Sequence, residues 1–456
     1  MESKNHSLLL KQLKSFAIVI GVKQDNHPSP RLWVTSKKDN IMYILALNCG
    51  SSSLKYQVFD ADTKTAIVGG NVEKIGLADS FVTQKYPDGH KDKKVTEMKD
   101  HKEALSVVMQ MLREASIDMN EIGGVGHRVV MGGDKFASSV EVTDEVIKTL
   151  RELTPLAPLH NPSGILGIVT AQQLLPNAKQ VAVFDTAFHQ TMKPASYRYP
   201  VPKEWYTELG VRRYGFHGTS HLYVSKRAAA MLGKPASECN LITAHIGSGA
   251  SITAIKNGVS VDTSMGMTPT AGLMMGTRCG DIDPSIPSYV AARKGLSIET
   301  VQNELNKKSG LMGVTTCYSD GRDVKENQEC NDDCKLALEM QAQTVKKFIG
   351  AYIAELGHVD ALVLTAGVCE NDDYMREKFC EGLEELGIKM DKDANKNISR
   401  DVPEAVLSTP DSRIKIFKIA TNEELVIVED TLAIMNGTYN ADHLKMAYSF
   451  AQQKER

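Results

Sequence analysis

A strand–loop–strand unit occurs twice in this chain, once in each half. The first unit spans residues 43–60 around a polar loop at 48–53, and the second spans 241–256 around a loop at 245–251. The segments flanking both loops are apolar or alternate between apolar and polar residues, which is typical of buried and half-buried strands. Each unit is therefore predicted to be a β-hairpin. A unit repeated in this way indicates an internal duplication and hence two related lobes.

Further strands and helices alternate along the chain. The predicted strands are 122–130, 180–184 and 361–365, and the predicted helices are 102–115, 144–153, 336–356 and 373–386. This alternation over 456 residues predicts an α/β protein whose sheets are covered by helices. Such folds bind ligands at the ends of their strands, so the turns there are the first places to search for a site.

The two hairpin loops consist mainly of small residues, and Gly50 of the first loop aligns with Gly247 of the second. Such loops expose backbone N–H groups that can bind a phosphate, because no large side chain blocks its approach. A third glycine turn, at Gly367, follows the strand 361–365. For each loop alone, a tight hairpin without a ligand is the alternative. No loop has the Walker pattern G-x-x-x-x-G-K-[ST], and no G-x-G-x-x-G opens a helix after a strand.

Charge and hydropathy argue against two classes of protein. The chain has 53 Lys and Arg against 56 Asp and Glu, a net charge of −3, so a nucleic-acid partner is not expected. No apolar run approaches the roughly 18–20 residues that span a bilayer. The apolar stretch 16–22 is short for a signal peptide, and no small-residue cleavage site follows it. We therefore expect a cytoplasmic protein that does not bind a membrane.

The cysteines do not indicate a disulfide framework, because all 8 are scattered at irregular spacings. Cys330 and Cys334 are one helical turn apart and could contribute to a zinc site. No second Cys or His pair stands nearby at ligand spacing, so free thiols are expected instead.

Four basic residues, two arginines and two histidines, lie in segments that are rich in small residues: Arg128, His160, His217 and Arg278. Each alone could be a surface salt-bridge residue or a buried histidine with satisfied hydrogen bonds. Their shared setting, where small residues bring the backbone close, favours a ligand site.

Six separated motifs resemble acetate kinase, in the same order and at similar spacing from Met42 to about Met435. They are LNCGSSSLK at 47–55, GHRVVMGG at 126–133, FDTAFH at 184–189, RYGFHGTSH at 213–221, MGTRCGDIDP at 275–284 and TNEE at 421–424. The resemblance implies the fold of sugar kinases, heat-shock chaperone ATPases and actin. That fold has two duplicated ribonuclease-H-like lobes with an active-site cleft between them.

The resemblance also implies a division of the chain. Lobe I is expected at 42–190 and is completed by the returning segment 424–456. Lobe II, at 191–423, is expected to bind the nucleotide and to form a homodimer. Residues 1–41 match nothing in the family, and we expect this extension to be dispensable for activity.

The activity implied is reversible, Mg²⁺-dependent transfer of the γ-phosphoryl group of ATP to acetate, giving ADP and acetyl phosphate. Acetate is ionised at neutral pH and needs no strong base, so the obstacle is bringing two anions together. The implied catalytic residues are Asp185, His217, Arg278, Arg128 and His160. Arg128 also binds the carboxylate, because a guanidinium donates two parallel hydrogen bonds. Mg²⁺, or Mn²⁺ in its place, is expected at Asn48 and Glu423, which offer oxygen ligands.

The nucleotide is expected at four segments of the chain. The residues implied are Lys55, Ser51 and Ser53; His245, Ile246, Gly247, Ser248 and Gly249; Asp320, Gly321 and Arg322; and Gly367, Val368, Cys369, Glu370 and Asn371. Three positions depart from the family pattern. Ser248 stands where Asn is usual, Cys369 stands where a second glycine is usual, and 315–318 replaces a Ser-Gly-x-Ser region.

Two other functions remain open at this stage. A propionate kinase shares these motifs, and one added methylene changes binding by only about 1–3 kcal/mol. An ATP-driven chaperone or filament subunit of the same fold is the alternative of a different class. The arginines and His217 argue against it, because a nucleotide switch needs no clamp for a carboxylate.

The three departures generate a prediction about the phosphoryl donor. We expect ATP to be the preferred donor and the departures to be neutral drift. Initial rates with ATP, GTP and pyrophosphate at equal concentration measure this preference. Comparable rates with GTP or pyrophosphate would show that the nucleotide site has a relaxed specificity.

Overall fold

The computed structural model describes residues 42–452. The expected dispensable segment, residues 1–41, lies outside the described residues, as do the last four residues of the segment 424–456. Within the described part, two mixed β-sheets are flanked by helices, in agreement with the predicted α/β class. No helix in this part is long and apolar enough to cross a membrane.

Within residues 42–452, fourteen strands form the two sheets. They are β1 (Tyr43–Cys49), β2 (Ser53–Asp60), β3 (Ala66–Glu73), β4 (Phe81–Lys85), β5 (Lys91–Val95), β6 (Ile122–Val129), β7 (Val140–Glu141), β8 (Lys179–Phe184), β9 (Leu241–Ile246), β10 (Ala250–Lys256), β11 (Val259–Thr263), β12 (Ala361–Thr365), β13 (Glu404–Val406) and β14 (Lys415–Ile419). The first sheet has the order β5-β4-β3-β2-β1-β6-β8-β7, and the second has the order β11-β10-β9-β12-β14-β13.

The same part of the chain, 42–452, contains fifteen α-helices. They are α1 (His101–Glu114), α2 (Asp144–Glu152), α3 (Asn161–Leu174), α4 (Pro194–Tyr197), α5 (Lys203–Leu209), α6 (Gly218–Leu232), α7 (Ile286–Lys294), α8 (Ile298–Lys307), α9 (Gly310–Thr315), α10 (Gly321–Glu326), α11 (Asp332–Leu356), α12 (Ala366–Asn371), α13 (Asp373–Cys380), α14 (Lys392–Asn397) and α15 (Glu423–Met435).

The centres of the two sheets have the same topology. In the first sheet β3, β2 and β1 are antiparallel neighbours, and β6 and β8 follow parallel to β1. In the second sheet β11, β10 and β9 repeat the antiparallel part, and β12 and β14 repeat the parallel part. The duplication inferred from the two hairpins is therefore confirmed. The exact boundaries of the two lobes stay a prediction.

Side-chain alternation in each central strand places helices on both faces of its sheet. Leu45 and Leu47 of β1 pack with residues of α1 and α3, whereas Ile44 and Ala46 face α15. The second sheet is covered in the same manner by α11 on one face and α6 on the other. Folds of this kind bind ligands at the strand ends that lie between such layers.

Most predicted elements are confirmed within one or two residues, and two differ. Helix α11 begins four residues earlier than predicted, because the Asn331 side chain caps it by accepting from the N–H groups of Asp333 and Cys334. Helix α13 ends at Cys380 because Gly382 adopts a positive φ of 80°. Residues 91–94, for which the sequence predicted no element, belong to β5, an edge strand.

Helix α15 approaches the first sheet closely because β6 carries glycines beneath it. A Cβ atom built on Gly126 would clash with the Ile427 side chain and lie only 2.5 Å from Thr431 Oγ1. A Cβ atom built on Gly124 would likewise come too close to the side chains of Thr431 and Met435. The sequence G-G-V-G within β6 is therefore a packing requirement, and it sets how near the start of α15 comes to the strand ends.

Gly126→Ala is predicted to lower the free energy of unfolding by about 1–3 kcal/mol, because the added methyl group overpacks the contact with α15. Gly350→Ala is the matched control: Gly350 lies within α11 with nothing near its Cβ position. There alanine should be neutral or stabilise by up to about 1 kcal/mol. Urea unfolding followed by circular dichroism measures both, and equal effects at the two sites would contradict the packing argument.

Candidate active site

Arg128 and Asp185 form a bidentate ion pair at the ends of two parallel strands. Arg128 lies near the end of β6 and Asp185 directly follows β8, so the sheet brings them together. Arg128 Nε donates to Asp185 Oδ1 at 2.8 Å, and its Nη2 donates to Oδ2 at 2.6 Å. Burial works against the charged guanidinium, yet the carboxylates of Asp185 and Glu423 raise the pKa of Arg128. The guanidinium therefore stays charged at the mouth of the cleft.

Glu423 adds a second carboxylate to this group from the first turn of α15. Its Oε2 lies 4.0 Å from Arg128 Nε and accepts a hydrogen bond from Thr219 Oγ1 at 3.0 Å. Burial raises the pKa of Glu423, but Arg128 and His245 outweigh it and hold that pKa below its ordinary value. Glu423 is therefore ionised at neutral pH.

Asn48, Lys55, Arg128 and Glu423 line one cavity of about 90 Å³. The Asn48 amide and the Glu423 carboxylate offer oxygen ligands, which Mg²⁺ prefers. No group of three or more His, Cys, Asp or Glu between residues 42 and 452 could hold a metal by itself. A small protein donor set fits Mg²⁺, because this ion usually takes one or two carboxylates and completes its shell with water and phosphate oxygens.

His217 lies at the N-terminus of α6 with a left-handed backbone, φ 56° and ψ 28°. This conformation costs a residue with a side chain roughly 1–2 kcal/mol. The next residue must be glycine, because a Cβ on Gly218 would clash with the carbonyl oxygen of Asp185, to which Gly218 N–H donates at 2.9 Å. The His217 ring stacks on the His245 ring with centroids 4.1 Å apart. His217 is thus fixed beside Asp185 by the backbone and by stacking.

Arg278 reaches the same place from the segment between β11 and α7. A Cβ atom built on Gly249 would lie 3.4 Å from Arg278 Nη1 and 3.5 Å from His217 Nε2. The two side chains therefore converge on this glycine. Arg278 donates to the Pro269 carbonyl at 3.2 Å and forms no ion pair with any described residue. Burial and the nearby Arg128 lower the pKa of Arg278. Two guanidinium groups in one cleft, one of them without a carboxylate partner, make a strong site for an anion.

His160 precedes α3 and belongs to the same electrostatic cluster. Burial, together with the positive charges of Arg278 and Arg128, lowers the pKa of His160 to about 4. Burial and the neighbouring His245 and Arg128 also lower the pKa of His217 well below its ordinary value. Both histidines are therefore neutral at pH 7 and can contribute hydrogen bonds instead of charge.

Two of the predicted nucleotide segments of the second lobe, 245–249 and 367–371, lie close to one another. A Cβ atom built on Gly247, in the β9–β10 loop, would lie 3.9 Å from Gly367 N. Ser248 O accepts from the N–H of Gly276, two residues before Arg278. Glu370 Oε1 accepts from the N–H groups of Ala366 and Thr421, and so joins α12 to the segment before α15.

Several predicted nucleotide side chains do not face the cleft. Ile246 and Cys369 are fully buried in the core of the second lobe, so their side chains do not reach a ligand in the cleft. Asp320 caps α10 and holds the exposed Arg322 in a two-point ion pair. Gly50 N–H donates to Ser53 O in the first hairpin loop, where Ser51 is exposed. The roles assigned to all these residues stay predictions.

The sequence did not single out the polar groups that support His217 and Glu423. Ser251 Oγ bonds to the rings of both His217 and His221, and Thr219 donates to Glu423. Thr219 and His221 lie inside the motif RYGFHGTSH, and Ser251 ends the loop HIGSGAS. Their position within these motifs was the available signal, but a hydroxyl group facing a histidine cannot be distinguished in the sequence from one facing solvent.

Comparison with known proteins agrees with this geometry. Residues 43–429 match the model of the acetokinase family. The acetate kinase of Geobacter sulfurreducens is 52% identical over 416 residues, covering 90% of this chain and 99% of the relative. The crystal structure of Porphyromonas gingivalis acetate kinase superposes with a TM-score of 0.82 at 44% identity, covering 86% of this chain and all of the other. A propionate kinase from Francisella tularensis gives 0.80 at 40% identity, covering 85% and 98%. The chain belongs to the acetokinase family.

Proposed function

We propose that this protein is an acetate kinase, which transfers the γ-phosphoryl group of ATP reversibly to acetate. One observation carries the proposal: Arg278, which forms no ion pair within residues 42–452, converges with His217 at Gly249, and its pKa is lowered by burial and by the nearby Arg128 at the end of β6. This arrangement suits two anions that must approach each other. The names and identity of the relatives support the same activity.

The chemistry assigns a distinct task to each cation. Acetate is already a nucleophile at neutral pH, so the enzyme must lower electrostatic repulsion and align the attack. Arg128 is held by Asp185 and binds the acetate carboxylate at a fixed position. Arg278 contacts the phosphoryl group as it moves in line from ADP to acetate. Because both groups are set in place before reaction, the transition state gains their interaction without reorganisation of the site.

His217 acts as a neutral hydrogen-bond donor to the equatorial oxygens of the transferred phosphoryl group. Its ring is fixed by stacking on His245 and by the constrained start of α6. His160, neutral beside both arginines, adds a further polar contact. Asp185 holds Arg128 directly.

Asn48 and Glu423 would hold Mg²⁺ beside Lys55, and the ion, when bound, neutralises charge on the nucleotide phosphates. Lys55 lines the same cavity and contributes a positive charge from the first lobe. The β9–β10 loop and the turn at Gly367 approach the nucleotide from the second lobe. Cys369 faces the core, so its departure from the family pattern is no reason to expect a donor other than ATP.

Propionate kinase is the second candidate, favoured by the high structural similarity to the Francisella protein. The acetate kinases of Geobacter sulfurreducens and Porphyromonas gingivalis are closer in sequence, at 52% and 44% identity. A chaperone or filament function has no use for the convergence of Arg128 and Arg278. Acetate is therefore the substrate that the combined observations favour.

The protein is also proposed to be a cytoplasmic homodimer. Helix α7 has no buried residue, and apolar side chains on α7, next to it and at the start of α8 are exposed. They are Ile282, Ile286, Tyr289 and Ile298. A second copy of the chain is the occupant that the family resemblance implies for this surface of lobe II.

The proposed activity predicts acetyl phosphate formation from ATP and acetate in the presence of Mg²⁺. Hydroxylamine converts acetyl phosphate to a hydroxamate that is measured by its coloured iron complex. Propionate is assayed in parallel. We expect kcat/KM to be about tenfold or more higher for acetate than for propionate, which is the discrimination that one methylene group can provide. ATP hydrolysis without hydroxamate would contradict a carboxylate kinase, and a preference for propionate would select the second candidate.

Arg278→Ala is predicted to lower kcat about 10²–10³-fold, because one transition-state donor is lost. Arg278→Lys should recover only part of this loss, since an ammonium group does not offer two parallel donors. Arg151→Ala is the control, because Arg151 is exposed on α2. Steady-state rates and thermal unfolding are measured for all three. Near-normal turnover by a folded Arg278→Ala protein would refute the assignment of Arg278.

A further inference from the structure

The hydroxyl group of Ser251 lies between two histidine rings. Ser251 Oγ is 2.8 Å from His217 Nδ1 and 2.8 Å from His221 Nε2. The other ring nitrogen of His221, Nδ1, is 2.7 Å from Thr243 Oγ1. Ser251, His221 and Thr243 are all fully buried, so no solvent competes for these hydrogen bonds.

We propose that Ser251 is a positioning residue that fixes the tautomer of His217, so that its Nε2 carries the hydrogen which faces the phosphoryl group. This inference rests on the proposed function and extends it to a residue that does not touch the substrate. In this arrangement Thr243, His221 and Ser251 form a series of hydrogen bonds that all point in one direction and end at His217.

Counting protons shows why the two rings are coupled. A serine hydroxyl has one hydrogen, so Ser251 can donate to only one of the two ring nitrogens and must accept from the other. If Ser251 donates to His217 Nδ1, then His221 must donate through Nε2–H. In the opposite arrangement His217 donates through Nδ1–H and Ser251 donates to His221. The two neutral rings therefore always carry their hydrogen on the same-named nitrogen.

Only one of these arrangements suits phosphoryl transfer. With Thr243 donating to His221 and Ser251 donating to His217, the hydrogen of His217 lies on Nε2, beside Arg278 Nη1 and Gly249. In the reverse arrangement a lone pair of Nε2 would face the negative phosphoryl oxygens and repel them. Nε2 forms no hydrogen bond with any group between residues 42 and 452, so it has no direct partner there to select the tautomer.

His217 needs this outside control because it is neutral. Burial and nearby positive groups, among them His245 and Arg128, lower its pKa well below the ordinary value, so it does not carry hydrogen on both nitrogens at pH 7. Stacking on His245 fixes the plane of the ring but does not distinguish its two tautomers. The hydrogen bond at Nδ1 couples the tautomer of His217 to the direction in which the Ser251 hydroxyl group points.

A nearby histidine provides a matched control. His189 Nδ1 is 2.9 Å from Ser260 Oγ, and Ser260 is as buried as Ser251. His189 Nε2, however, lies 2.9 Å from the carbonyl oxygen of Phe216, which can only accept, so the tautomer of His189 is set without the serine. Removing the Ser260 hydroxyl group should therefore leave the catalytic rate unchanged.

The test compares Ser251→Ala, Ser251→Thr and Ser260→Ala in the full chain by the hydroxamate assay. Loss of a group that orients a catalytic ligand typically costs about 10–100-fold in activity, and we expect this loss in kcat for Ser251→Ala. KM for ATP and acetate should change by less than about threefold, as for an interaction that matters only in the transition state. Ser251→Thr, which keeps the hydroxyl group, should retain most of the activity, and Ser260→Ala should resemble the unmodified protein.

A double-mutant cycle with His217→Ala tests whether Ser251 affects the reaction through His217. If Ser251 acts only through His217, then adding Ser251→Ala to His217→Ala should change kcat by less than about twofold. The proposal is overturned if Ser251→Ala alone leaves kcat within twofold of the unmodified protein. It is equally overturned if the serine substitution costs the same factor in both backgrounds.

Two further measurements separate this proposal from folding and from the proposed function. Thermal unfolding of each variant checks the fold. Should Ser251→Ala be unstable, Ser251→Cys fills the same space with a weak donor and is expected to show the same loss of kcat. Near-normal kcat of His217→Ala would refute the role of His217 itself, whereas a large loss there with an unaffected Ser251→Ala would refute only the inference about Ser251.

Discussion

The ion pair between Arg128 and Asp185 is the interaction on which the site depends. A buried ion pair contributes little net stability, because desolvation of both charges offsets most of their attraction. Its effect here is geometric. The carboxylate of Asp185 fixes Arg128 by two hydrogen bonds, and its backbone carbonyl accepts from Gly218, which follows His217. One residue at the end of β8 thus sets the positions of two groups that come from different parts of the chain.

The duplicated sheets explain how so many polar groups reach one cleft. In each lobe the first hairpin and the neighbouring parallel strands end at the same edge, as expected for mixed sheets of this order. The first lobe contributes Asn48, Arg128 and Asp185 from such ends. In the second lobe, the β9–β10 loop and the turn at Gly367 follow equivalent strands. Helix α15 then returns to the first sheet and brings Glu423 to the same place.

The sequence was sufficient to predict the central strands and to select Arg128 and Arg278 as candidate site residues. Alternating strands and glycine turns are local patterns, and Arg128 and Arg278 stand out because charged groups are unusual among so many small residues. It was not sufficient for α6, in which 11 of 15 residues are buried, so that no polar face marks it as amphipathic. The sequence also could not predict that Ser251 contacts two histidines or that Cys369 faces the core. These depend on which side of a strand or helix meets another element, a property of the packed chain.

Strand β5 forms one edge of the first sheet, and its sequence is KDKKV. An unpaired strand edge can hydrogen-bond to the edge of another molecule, and lysines on it oppose such pairing by charge repulsion and by their strong hydration. Lys93 also extends over the Phe81 ring, 4.0 Å from its centroid, and so shields an aromatic surface beside the edge. The eight-stranded sheet consequently ends at β5 without offering a template for further strands. At this edge, the charge of one copy of the protein therefore opposes strand pairing with another copy.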